Sequence, residues 1–314
     1  MTTREIAAAL ELFIAPDQYT EFRAIDVGGP GRMFAGWFDG RHLLDLARAA
    51  LGVHRQAARC QFLPNPVQPR VAERRLNKVL DVHRGFALTR DTDVEDRRWL
   101  IVDVDPWGWW RDKPDPTAAR EKQPSSWREL AMAGRVARQM VIPLLTDFGF
   151  PAPVEMLTGN GIHLVYPIEP TPAGHCAAGD PVARLLTLVG ERCKIPGVTV
   201  DTSTFNPARM LRVPGTLNRK GKSSPGRPYR TVRVLTVPTD WTRPEYVALA
   251  PAAEPPAPVV AEPGPPPPAV RAGRGERVGP DRPDRSKPAP ARGPVKPPAG
   301  LFEPGPRDRP QTSH

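Results

Sequence analysis

Asp103 and Asp105 stand two residues apart in the run Arg98-Trp99-Leu100-Ile101-Val102-Asp103-Val104-Asp105-Pro106. The run is apolar and stopped by proline, which predicts a strand. In a strand, residues i and i+2 share a face, so the two carboxylates project together about 6–7 Å apart while Val102 and Val104 pack behind them. Unpaired, two acids in one small volume repel each other. A divalent cation resolves the repulsion, and oxygen ligands suit Mg²⁺ or Mn²⁺. Phosphoryl and nucleotidyl transfer use such a set: one ion lowers the pKa of the attacking hydroxyl, a second holds the triphosphate and leaving group. A strand end showing two acids to solvent fits the same residues.

Thr158-Gly159-Asn160-Gly161-Ile162-His163 offers a second element. Glycines let a backbone approach a ligand closely, and a histidine on the following strand can donate to a phosphate or sugar. An ordinary Asn-Gly hairpin turn followed by a half-buried histidine also accounts for the pattern. Asp201 ends a strand of its own and would complete a carboxylate set. Asn206-Pro207-Ala208-Arg209-Met210-Leu211-Arg212 follows, with two arginines suited to triphosphate charge. Gly215 and Gly221 are separated by five residues, where the phosphate loop of ATPases needs four. Thr216, Asn218, Lys220 and Lys222 read instead as a polar, basic loop against a nucleotide or a template backbone.

Positioning these residues requires a set of elements that the periodicity predicts. Helices are expected over 5–13, 40–52, 71–80, 125–148 and 181–193, the fourth opened by a Ser and Glu three residues apart in a capping box. Residues 22–27 and 33–38, joined through Gly-Gly-Pro-Gly, predict a hairpin, and 154–157 with 162–167 a second one around Asn160-Gly161. Short strands are expected at 61–63, 98–106, 198–201 and 229–235.

The chain has 314 residues, 39% of them hydrophobic, enough for a real core. From about Pro251 periodicity stops, and Pro, Ala, Gly and Arg dominate. Such a segment cannot bury enough apolar surface to offset its ordering entropy, so 251–314 is expected to be a disordered tail. The net charge is +10; the tail carries 10 Lys+Arg and 7 Asp+Glu, which leaves +7 for residues 1–250. A basic balance favours polyanionic partners, nucleic acid above all. No stretch approaches the roughly 18–20 apolar residues of a membrane span, and the N-terminal residues lack an apolar signal core, so a cytoplasmic protein with no membrane partner is expected. Cys60, Cys176 and Cys193 form no CxxC pair and read as reduced thiols; His163, His175, Cys176 and Cys193 can be grouped as a zinc set, but their spacing matches no standard pattern.

Taken together and in order, Ile101-Val102-Asp103-Val104-Asp105-Pro106, Gly159-Asn160-Gly161-Ile162-His163 and Val200-Asp201 resemble the catalytic motifs of the archaeo-eukaryotic primase superfamily, in its prokaryotic primase-polymerase branch of phages, plasmids and mobile elements. Phe62-Leu63-Pro64-Asn65-Pro66-Val67 is similar to that family's Asn-Pro-Val segment, and 201–216 to its third block. The resemblance covers about residues 15–240. It implies an α+β fold: an RRM-like antiparallel palm sheet with helices on one face (about 96–245) joined to a smaller N-terminal α/β unit (about 1–95), together one catalytic domain over 1–245. It further implies that Asp103, Asp105 and Asp201 hold two Mg²⁺ or Mn²⁺ ions, with no organic cofactor. Nucleotide contacts would come from His163, Gly159, Asn160 and Gly161, from Arg209, Arg212 and Lys220, and from Asn65. The partners implied are a single-stranded DNA template, (deoxy)nucleoside triphosphates, and a separate helicase or replication protein, since no helicase domain follows. Trp107-Gly108-Trp109-Trp110 and the charged stretch 111–123 depart from the family's more polar pattern. Gap-filling or translesion synthesis fits the same site, as do a catalytically silent nucleic-acid-binding replication protein and a metal-dependent nuclease.

Overall fold

The computed structural model describes residues 1–73, 76–82, 86–106, 123–172, 180–239 and 302–303. Two sheets, antiparallel except at one edge of the first, position the candidate residues. In the first, β1 (Tyr19–Ile25) pairs with β2 (Met33–Asp39) on one side and β3 (Arg59–Phe62) on the other. Its side chains alternate: Phe22 and Ala24 are buried against α1 (Thr3–Glu11) and α2 (Leu43–Val53), while Arg23 and Ile25 take the opposite face. The full strand order is β13-β4-β2-β1-β3-β9, with β4 at Val79–Val82, β9 at Leu211–Arg212, and the two-residue β13 (Phe302–Glu303) parallel to β4. The remainder of 251–314, expected to be a disordered tail, lies outside the described residues.

The helix expected over 71–80 does not form. Helix α3 spans only Pro69–Ala72, and Leu80 and Val82 pair instead with Ala35 and Met33 of β2. Burial of Val79, Leu80 and Val82 against the sheet decides the conformation over the local helical pattern.

The second sheet runs β12-β6-β7-β5-β8, every pair antiparallel: β5 (Asp96–Pro106), β6 (Val154–Leu157), β7 (Ile162–Pro172), β8 (Val198–Val200) and β12 (Arg233–Thr236). Leu100, Val102 and Val104 of β5 are buried against helices α4 (Trp127–Val136), α5 (Ile142–Asp147) and α6 (Pro181–Arg192) on one face. Ile101 turns the other way and joins Val154, Met156 and Val165 in the core shared with α1, α2 and β1. The two sheets are therefore fused through one apolar cluster, and Asp103 and Asp105 extend the face that Ile101 begins. This is the mixed α+β arrangement expected, with helices on one face of an antiparallel sheet.

The single helix expected over 125–148 is interrupted by a π turn at Ala137–Val141. Pro143 follows at the start of α5, cannot donate to the carbonyl four residues back, and crowds it, so the helix widens there. The capping box is made by Ser126 and Glu129. Asp180 caps α6 and is bound in bidentate fashion by Arg97 of β5 at 2.9 and 2.7 Å, with both side chains under 10% exposed. The final strand is split: β11 (Arg230–Thr231) pairs with β10 (Leu217–Asn218), and β12 with β6, on either side of Val232. Among the described residues, no helix is long and apolar enough to cross a membrane.

Candidate active site

Between the sheets opens a cavity of about 610 Å³ with walls of opposite character. One wall is acidic. Asp103 and Asp105 project from β5, and His163, directly across from Asp103 on β7, places its Nε2 3.4 Å from Asp103 Oδ2. The other wall is basic. Arg23, Gln61 and Arg212 are cross-strand neighbours in one row of β1, β3 and β9, with Arg59 beside Ile25 in the next. The cavity is closed by the loop residues Thr158, Asn160, Asp201, Arg209 and Lys220, with Asn218 at the end of β10.

Main-chain bonds carry Asp201 to the acids. Its N–H donates to the Asp103 carbonyl at 2.8 Å, continuing the β5–β8 pairing, and Thr204 Oγ1 donates to the Ile101 carbonyl. Its carboxylate is occupied locally: Ser203 N and Oγ donate to Oδ1 at 2.9 and 2.6 Å, and Arg209 Nη2 lies 3.9 Å from Oδ2.

The electrostatics separate the two strand acids. Burial opposes charge on Asp103, but His163, Arg212 and Arg209 outweigh it and hold the carboxyl below its ordinary range. Asp105 goes the other way. Burial and the negative charges of Asp103 and Asp201 push it up to about 8, against the pull of Lys220 and Arg212. On the facing wall, burial and the charge of Arg59 bring Arg212 down to about 10. Asp103 Oδ1 and His163 Nδ1 are buried with no hydrogen-bond partner among the described residues. A desolvated acceptor beside a second carboxylate that cannot comfortably ionise is a donor set suited to a hard divalent cation. Among the described residues, no three His, Cys, Asp or Glu side chains already converge as a metal cluster. The site offers a pair, with Asp201 held aside by Ser203 and Arg209.

The turn at 158–161 differs from the expected Asn-Gly type. Positive φ falls on Gly159 (+93°), and neither Asn160 nor Gly161 adopts it. Thr158 takes over the turn, its hydroxyl accepting from Gly161 N at 2.9 Å. Gly161 is needed for space, since a Cβ there would collide with Asp105 Oδ1 and the Val104 carbonyl. Asn160 lines the cavity, whereas Gly159 and Gly161 supply backbone shape around it.

Of the residues singled out in sequence, Asp103, Asp105, Asp201, His163, Asn160, Arg209, Arg212 and Lys220 all line this cavity. Asn65 does not. Its amide donates to the Pro207 carbonyl at 2.8 Å and accepts from Arg98 N at 2.9 Å, so it ties the loop before β9 to the start of β5. His175 and Cys176 of the zinc set, and Trp107, Trp109 and Trp110, lie outside the described residues; Cys60 and Cys193 are buried free thiols. Arg23, Arg59 and Gln61 were not anticipated. Their signal was strand alternation, Arg23 with Ile25 and Arg59 with Gln61, each pair on one face.

No protein-family model and no curated protein matches the chain. Among solved structures it is similar to primase RepB', at 10% identity and a TM-score of 0.34, over 75% of this chain and 56% of that one. It is also similar to the polymerase domain of Mycobacterium tuberculosis ligase D in complex with DNA, at 15% identity and a TM-score of 0.36, over 79% of this chain and 84% of that one. The chain spans little more than half the length of the first. At such identities neither neighbour assigns a role to any residue here.

Proposed function

We propose that this chain is a nucleotidyltransferase that joins (deoxy)nucleotides on a single-stranded DNA template, as a primase or primer-extending polymerase. The observation that carries the reading is the buried pair Asp103 and Asp105, one oxygen unpartnered and one carboxyl pushed up to about 8, facing the row Arg23–Gln61–Arg212 across the cavity. Asp103 and Asp105, with Asp201 after release from Ser203, would hold Mg²⁺ or Mn²⁺. When bound, these ions supply acidification of the attacking hydroxyl and neutralisation of the triphosphate.

The chain's own groups do the rest. Arg212, Arg59 and Arg209 bind phosphate oxygens and balance charge that develops on the leaving group. His163 fixes the Asp103 carboxylate through Nε2. Gly161 keeps the turn low enough for Asp105 to stay in the cavity. Lys220, on the loop held by Asn218, adds positive charge near Asp105.

The test is incorporation of labelled nucleotides on single-stranded DNA, with and without a primer, in Mg²⁺ or Mn²⁺, for wild type and Asp103→Asn/Asp105→Asn. Products that fall to background in the variant are expected, and their dependence on primer separates priming from extension. Retained DNA binding with no incorporation by wild type would leave a binding protein. Shortening of labelled DNA without nucleotides would indicate a nuclease, which paired carboxylates also serve.

A further inference from the structure

We infer that Trp127 is a stacking platform for an unpaired base of the single strand at the rim of this cavity, an inference that rests on the nucleotidyl-transfer reading. Trp127 opens α4 and is 63% exposed, the most exposed large apolar side chain among the described residues. An indole presents a large flat apolar face with a polar edge, the kind of surface enriched where a protein meets a partner. It is also held in place. The Arg230 guanidinium lies 4.3 Å from the ring centroid and so occupies one side of the indole. Arg230 is itself only 5% exposed, donates through Nη1 to the Ser125 carbonyl, and leaves Nε and Nη2 with no hydrogen-bond partner among the described residues. A buried cation is thus committed to backing an exposed ring.

The mount is rigid and joined to the site. Arg227 grips Glu129 with both Nη atoms at 2.7 Å, and Glu129 closes the capping box with Ser126 on either side of Trp127. Ser125, two residues before Trp127, donates from N and Oγ to the side chain and carbonyl of Asn160 at 3.2 and 2.7 Å. Asn160 lines the cavity, and the next residue, Gly161, abuts Asp105. A flat, fixed π face beside a cavity rich in arginine fits a nucleobase whose phosphates run along the basic wall. Stacking accepts any base, as a template strand requires.

The full chain, Trp127→Ala and Trp127→Phe would be titrated by fluorescence anisotropy, at one salt concentration, against labelled oligothymidine and an equally long strand of abasic spacers. Trp127→Ala should weaken oligothymidine binding about 5- to 150-fold and leave the abasic strand unaffected, and Trp127→Phe should restore most of the loss. Unchanged affinity of Trp127→Ala for oligothymidine overturns the platform, and so does an equal loss on both strands. Circular dichroism that matches wild type separates lost stacking from lost folding. If wild type incorporates nucleotides while Trp127→Ala binds both strands as wild type does, only the platform falls. If wild type neither binds nor incorporates, the nucleotidyl-transfer reading falls with it.

Discussion

Asp105 bears the energetic cost of the site. Buried beside Asp103 and near Asp201, its carboxyl rises to about 8, so the fold keeps a group whose charged form it disfavours. Asp105→Asn removes that conflict in nearly the same shape and should raise stability by roughly 1–3 kcal/mol. Calorimetry in the presence of a chelator should show a midpoint higher by roughly 2–8 °C, and excess Mg²⁺ should narrow the gap by stabilising wild type. An unchanged or lower midpoint would mean that Asp105 is already relieved by its surroundings. At this scale the acids were readable because strand alternation is strict: Asp103 and Asp105 had to share a face. Arg23 and Arg59 were not, because a single arginine in a strand looks the same whether it meets solvent or a cavity. Asn65 stands away from the cavity, its amide engaged by Pro207 and Arg98, a tertiary pairing that its local sequence does not announce.

Among the elements, those with strong periodicity stand close to where their sequence put them, including α1, α2, the β1–β2 hairpin, β5 and α6. The failures each have a local cause: Pro143 widens the long helix, Thr158 takes the turn from Asn160-Gly161, and burial against β2 turns the end of 71–80 into a strand. The C-cap of α2 gives a pH prediction. His54 Nδ1 accepts from Leu217 N at 3.1 Å, which joins α2 to β10, and burial with the charges of Arg55, Arg219 and the N-terminal amine lowers its pKa. The folded protein resists protonation that the unfolded chain accepts near 6.5. Stability is therefore complete above that value and lost as pH falls below it toward the folded pKa. Denaturant midpoints at pH 7.5 and 5.5 should diverge in wild type and draw closer in His54→Asn, whose amide oxygen can still accept from Leu217. An equal drop in both proteins would assign the loss to other groups.

For the whole molecule, charge is the feature that composition conveys best, since residues 1–250 carry +7 and the arginine row concentrates part of it on one cavity wall. Affinity for single-stranded DNA should therefore fall linearly with the logarithm of salt concentration, and Arg59→Ala should flatten the slope by about 0.7. A slope that the variant leaves unchanged would place the strand elsewhere. Composition is silent on how the two sheets meet, because that depends on pairings between distant residues. Strand β9 is the plainest case: Gln61 and Phe62 of β3 pair with Arg212 and Leu211, about 150 positions later in the chain. During synthesis, β3 must wait with an open edge until residue 212 has left the ribosome, and only then does Arg212 enter the basic wall. Arg23, Arg59 and Gln61 are made before Asp103 and Asp105, yet their wall lacks Arg212 until long after the acidic strand has emerged, so no chain that stops short of it holds a finished cavity.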